Sequence, residues 1–198
     1  MTAQEITIQW VDHMEGDFSF KDNWSYPEGI YLNQFGQVSC DGLCPPEIDD
    51  MKDDNGKIKA EMLHAFYLLV DTTRQYHSIL SEARVYEWAG TDFIQANRIS
   101  RDTVICSTLN NAATHSSLQM VITDNKVKPT IILTSVKANE SSIFTCMDGS
   151  IIINRHLWEQ GIIQATFHFI FDGVMNDGQQ MWWKGLIYAK VETINNNH

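Results

Sequence analysis

The chain has 198 residues, close to one ordinary domain, of which 43% are hydrophobic and 20% charged; that balance supports a packed core and argues against a disordered chain. The formal net charge is −11, and residues 1–60 hold twelve acidic against four basic residues. With no basic stripe to offset it, this charge speaks against nucleic acid and against an anionic membrane surface, and favours a basic partner or a metal ion.

Residues 5–12 (Glu5-Ile6-Thr7-Ile8-Gln9-Trp10-Val11-Asp12) alternate apolar and polar, which predicts a first strand. Residues 13–57 mix acids with aromatics (Phe18, Phe20, Trp24, Tyr26, Tyr31, Phe35) and turn formers. They read as an irregular, turn-rich layer with short strands near Gly29–Leu32 and Gly36–Ser39 around Asn33-Gln34. Within it, Cys40-Asp41-Gly42-Leu43-Cys44 spaces two thiols as some zinc sites do, but its second half is missing. Zinc on Cys40 and Cys44, a facultative disulfide, and a plain structural turn all stay open, the last being preferred. No cofactor is expected otherwise. Asp49–Lys59 is superficially similar to a calcium loop, but Met51 and Met62 stand where carboxylates are required, so a tight acidic turn before a helix is expected.

From Ile58 the period lengthens. Ile58, Met62, Phe66, Leu69 and Thr73 fall on one helical stripe. The stripe continues through Tyr76, Leu80 and Ala83 to a stop at Gly90, so one or two helices are expected around 58–88. A strand over 79–88 is the alternative, because Val85, Tyr86 and Trp88 favour extended backbone. The segment His77–Asp92 gathers a histidine, three carboxylates, Arg84, Tyr86 and Trp88. His77, Glu82, Glu87 and Asp92 are therefore the candidates for acid–base or metal chemistry. Glu82 and Glu87, five apart, fall on different sides of either a helix or a strand. No HExxH, nucleophile elbow or Gly-rich phosphate loop accompanies them.

From Thr103 the period is two. Strands are expected at about 103–109, 117–123, 129–137, 142–146, 149–154, 161–171 and 181–192, divided by turns at Asp124-Asn125, Ala138-Asn139, Asp148-Gly149, Asp172-Gly173 and Asn176-Asp177-Gly178. Asp148-Gly149 is the strongest hairpin signal. In 161–171, Ile163, Ala165, Phe167, Phe169 and Phe171 share one face, and Gln164, Thr166 and His168 the other. Trp182 and Trp183 must point to opposite faces of the last strand.

The expected fold is α+β: a mainly antiparallel β-meander over 103–192, closed as a sandwich or barrel, with the 58–90 helical region packed on it and 1–57 as an acidic aromatic layer, all in one domain over 1–198. The first residues show no apolar leader, and the longest apolar runs, such as Ile151-Ile152-Ile153, are too short to span a bilayer, so a cytoplasmic protein with reduced thiols is expected. The preferred function is a non-enzymatic binding module with a cavity for a small apolar or aromatic ligand, its wall drawn from Trp88, Phe169, Trp182 and Trp183. Two alternatives stand beside it: an acidic interaction or inhibitor protein for a basic partner, and a metal-assisted or acid–base hydrolase built on the 77–92 region.

Overall fold

The computed structural model describes residues 4–22, 25–26, 30–32, 35–40, 43–70, 77–90, 92–108, 114–135 and 141–193. The expected turns at Asn33-Gln34 and Ala138-Asn139, and the stripe residues Thr73 and Tyr76, lie outside the described residues. The chain divides into two compact units, a larger one of residues 1–18 and 78–198 and a smaller one of 19–77. Among the described residues no helix is long and apolar enough to cross a membrane.

The larger unit is a nine-stranded, mostly antiparallel sheet. Its strands are β1 (Ile6–Val11), then β5 (Ile79–Arg84), β6 (Ile94–Ser100), β7 (Thr103–Thr108), β8 (Ser116–Thr123), β9 (Lys126–Thr134), β10 (Ser141–Asn154), β11 (Ile162–Val174) and β12 (Gln180–Thr193). Short turns make β6 to β9 a meander, with Asp124 at φ 49° in the β8–β9 turn. The three last strands are long enough to pair with different neighbours along their length. β10 pairs with β9 through 141–145 and with β11 from Cys146 onward. β12 pairs with β11 along one edge; along the other it pairs with β5 through 182–187 and, in parallel, with β6 through 191–193. These pairings close β6 through β12 into a barrel. β1 fills the gap that opens between β9 and β10, antiparallel to the first and parallel to the second.

The inner face of the barrel is the core. Ile163, Ala165, Phe167, Phe169 and Phe171 of β11 are all buried, as their alternation predicts; Phe169 stacks on Phe167 with ring centroids 5.1 Å apart and meets Phe171 edge-on at 6.5 Å. Trp183, fully buried, donates its indole N–H to Ser81 Oγ at 2.9 Å, which answers the one polar atom that this large side chain brings inside. Trp182 faces the outer wall instead.

The end of the barrel where β1, β6 and β10 finish is stopped by stacked side chains. A short helix α3 (Arg155–Glu159) is capped by Asn154, whose side chain accepts from Leu157 N at 3.1 Å. Its Trp158 meets Trp10 at 5.7 Å, and Arg98 and Arg155 each lie 5.7 Å from one of these rings.

The smaller unit has its own core of Ile30, Val38, Ile48, Met51, Phe66 and Val70. It contains the three short strands β2 (Ser25–Tyr26), β3 (Ile30–Leu32) and β4 (Val38–Cys40), the helix α1 (Pro46–Asp49), a 3-10 turn at Ala60–Met62 and the helix α2 (Leu63–Leu69). The acidic turn is built as expected. Asp53 Oδ1 accepts from the backbone of Asn55 and Lys57, and these bonds, Lys57's first, hold its carboxyl below the usual range; Gly56 sits at φ +75°.

Two expectations are corrected. Asp148-Gly149 is not a hairpin turn: β10 runs straight through it with a bulge between Cys146 and Asp148. Glycine is required there for space, because a Cβ would lie 2.4 Å from the backbone oxygen of His168. The helix does not continue past α2 into 79–90. Residues 79–84 are strand β5, whose inward Ile79, Ser81 and Ala83 have period two; Leu80 had been counted on the helical stripe but is 54% exposed on the outer wall.

Gly185 of β12 lies between Phe167 and Ser81 in the ladder, and a Cβ there would come within 2.5 Å of the Leu80 carbonyl oxygen. Gly185→Ala is expected to destabilise the protein by about 2–3 kcal/mol, while Leu80→Ala changes stability by less than about 0.5 kcal/mol. Urea unfolding of the two variants checks this difference.

Candidate functional site

The opposite end of the barrel is where β5, β7, β9 and β11 finish and β6, β8, β10 and β12 begin. The link from β5 to β6 runs along this end, held by contacts to β8, β9 and β11. Its residues 85–90 form a strap that is tied down on both sides. Towards β8 and β9, Trp88 O accepts from the backbone N–H groups of His115 (2.8 Å) and Ser116 (2.9 Å), and Glu87 accepts from Ser135 Oγ at 2.9 Å. Towards β11 and β12, the Tyr86 hydroxyl donates to the Val174 carbonyl, and its ring lies 5.6 Å from that of Phe144. Arg84, at the start of the link, donates to Gln179 at 3.0 Å and is ion-paired with Asp177.

Between this strap and the strand ends lies a cleft of about 590 Å³, lined by Tyr86, Glu87, Trp88, His115, Leu133, Ser135 and Asn176. Trp88 is 80% exposed although its backbone is held at two points. Leu133 forms an apolar floor. Directly across the ladder from Leu133, Ser116 buries a hydroxyl that no described residue pairs. An unpaired buried hydroxyl costs about 1–3 kcal/mol. The cleft thus offers a flat indole and a phenol, one carboxylate, one imidazole, a hydroxyl and a carboxamide. Such a set can stack a planar group and hydrogen-bond its edge.

The structure scatters the other candidates. Glu82 stands on the outer wall, 2.9 Å from Lys184, beside a second shallow cleft of about 590 Å³ that also includes Leu80, Thr166 and His168. Lys184 Nζ covers Trp182 on that wall, 5.2 Å from the ring centroid. Phe169 and Trp183 belong to the sealed core. The expected cavity wall of Trp88, Phe169 and Trp182 is therefore corrected: Phe169 pairs with Trp183 and Ile170 with Trp182, so Phe169 and Trp182 face opposite sides of the barrel wall. Asp92 accepts from Ser78 N and Ile79 N through its backbone oxygen, and His77 ends the smaller unit. Of the four acid–base candidates, only Glu87 enters the strapped cleft. His115, Leu133, Ser135 and Asn176 had no sequence signal. They come from the lead into β8, the end of β9 and the β11–β12 turn, and only the register of the barrel brings them together.

Cys40 and Cys44 are joined as a disulfide, against the expectation of reduced thiols, and in that state they present no thiolate to a metal. Among the described residues, no group of three or more His, Cys, Asp or Glu side chains is placed to hold a metal ion.

Because its side chain stands in water, Trp88→Ala is expected to leave stability within about 0.5 kcal/mol of the parent. Glu87→Gln keeps an acceptor for Ser135 and costs less than about 1 kcal/mol. Thermal melts of both variants check these values; a large loss for either would make the strap a structural brace instead of a cleft wall.

Comparison with protein-family models, with curated proteins and with solved structures gives no match.

Proposed function

We propose that the chain is a non-enzymatic ligand-binding β-barrel module of the cytoplasm, which takes a small apolar or aromatic ligand in the cleft beneath residues 85–90. One observation carries this reading: Trp88 is held by two backbone hydrogen bonds yet keeps 80% of its surface in water, over an apolar floor at Leu133. A large aromatic side chain held in water beside a concavity gains from being covered by a flat partner, at about 25 cal/mol per Å² of apolar surface removed from water. The polar groups around it are few and sit at the rim, as in sites that orient a ligand. The hydrolase reading has less support, because Glu82, Glu87 and Asp92 stand in different places.

A second reading draws on the smaller unit. α2 leaves Leu63, Tyr67, Leu68 and Leu69 exposed, in a unit that also carries Glu47, Asp49, Asp50, Asp53 and Asp54. That combination of apolar and acidic surface suits a basic protein partner.

Ligand-observed NMR with indole, 2-naphthol and cyclohexanol as probes tests the first reading. The two aromatic probes are expected to bind the parent protein and Trp182→Ala, and to lose at least about tenfold in affinity, some 1.4 kcal/mol, on Trp88→Ala. Binding that is indifferent to Trp88, or none at all, contradicts it.

A further inference from the structure

The four cysteines fall into two chemically different pairs. Cys106 of β7 and Cys146 of β10 point into the barrel, where burial pushes their thiols up to about 12 and about 11. At neutral pH they are neutral and shielded, and so inert towards thiol exchange. Cys40 and Cys44 belong to the smaller unit, bridged to each other and only partly buried at the edge of its core. Next to Cys44 lies a cation. Lys52 Nζ is 2.9 Å from Cys44 Sγ and 2.8 Å from Asp49 Oδ1, and its side chain is only 16% exposed. Two further contacts fix that lysine: Lys52 N donates to Asp49 O at 3.1 Å, and its backbone bridges to Ile58 across the acidic turn. The ammonium is thus held against one sulfur of the bridge.

From this asymmetry we infer that the Cys40–Cys44 bridge is a thiol–disulfide exchange site for small thiols and dithiols, in which Lys52 stabilises Cys44 as the leaving thiolate. An incoming thiolate attacks Cys40 Sγ, the Cys40–Cys44 bond breaks, and its electron pair leaves on Cys44 beside the Lys52 ammonium. A second thiolate then attacks the external sulfur of the mixed disulfide and releases Cys40. Two electrons pass from two external thiols to the bridge, the external thiols leave as a disulfide, and two protons complete the Cys40 and Cys44 thiols as pH allows. A lower leaving-group pKa speeds the first step, and an adjacent lysine lowers a cysteine's pKa. Asp49 is a positioning residue, since it touches Lys52 and not the sulfurs. This site is independent of the cleft beneath residues 85–90.

The test uses the full chain and dithiothreitol or glutathione, with iodoacetamide trapping and peptide mass spectrometry. Aerobic native protein is expected to take up no label. After reduction Cys40 and Cys44 label while Cys106 and Cys146 do not, and the pH profile of Cys44 labelling has its inflection below the ordinary thiol value of about 8.5. Lys52→Met slows reduction by roughly three- to tenfold and moves that inflection upward, whereas Lys52→Arg retains most of the rate. In Cys44→Ser, glutathione disulfide forms its adduct on Cys40. If Lys52→Met does not fold, as judged by circular dichroism, the inflection in the parent protein decides alone. Free thiols at Cys40 and Cys44 in the aerobic protein, an inflection at or above about 8.5, or equal reduction rates in the parent and a folded Lys52→Met would each overturn the inference.

Discussion

Everything in the larger unit depends on the hydrogen bonding of β12. This strand is shared by β11 along one edge and by β5 and then β6 along the other. Without its last three pairings, 191–193 against 96–98, the sheet would be open and β6 would be an exposed edge. An open edge invites pairing with other chains, and closure removes it. Closure also fixes register, because a one-residue slip in β12 would turn Trp183 outward and Trp182 inward. Gly185 allows the close fit that this register needs, and the hydrogen bond from Trp183 to Ser81 satisfies the indole inside the wall.

A closed barrel of this size fills itself. Phe167, Phe169, Phe171, Trp183, Met120, Ile6, Ile8, Ile151, Ile153 and Ile163 occupy the interior, which leaves the ends as the places where a small molecule could be met. The two ends are treated differently. At one, α3 brings Trp158 onto Trp10, with two arginines over the rings. At the other, residues 85–90 form an anchored strap and leave a concavity with an exposed indole. The cleft depends on the contacts that hold the link at this end: Trp88 to His115 and Ser116, Glu87 to Ser135, and Tyr86 to Val174.

The alternating stretches of the sequence announced their own structure. Ile163 to Phe171 could be assigned to an inner face by period alone, and so could the opposite orientations of Trp182 and Trp183. Signals that depend on neighbours misled. Asp148-Gly149 has hairpin chemistry, but the glycine is demanded by the His168 backbone on the adjacent strand, which no local pattern reveals. Residues 79–84 fit a helical stripe as well as a strand, because Leu80 is apolar but faces outward. The candidate site was legible in part. Glu87 and Trp88 lie in the segment richest in functional side chains, yet Glu82 is drawn off to Lys184, its partner across the ladder. His115, Leu133, Ser135 and Asn176 reach the cleft through long-range register, which a single sequence does not encode in any short window. The cysteine pair was visible as a spacing, but the lysine that distinguishes Cys44 from Cys40 lies eight residues on and is brought back by the helix α1 between them.

The most direct measurement is a set of cross-strand backbone NOEs by solution NMR on the last strand. Closure predicts contacts from Ala189 to Ile163 on β11 and, a few residues further along β12, from Val191 and Thr193 to Ala96 and Arg98 on β6. Contacts to β11 with none to β6 would mean an open sheet. The strap of residues 85–90 would then have no closed barrel end to lie over, and the cleft beneath it would lose its basis.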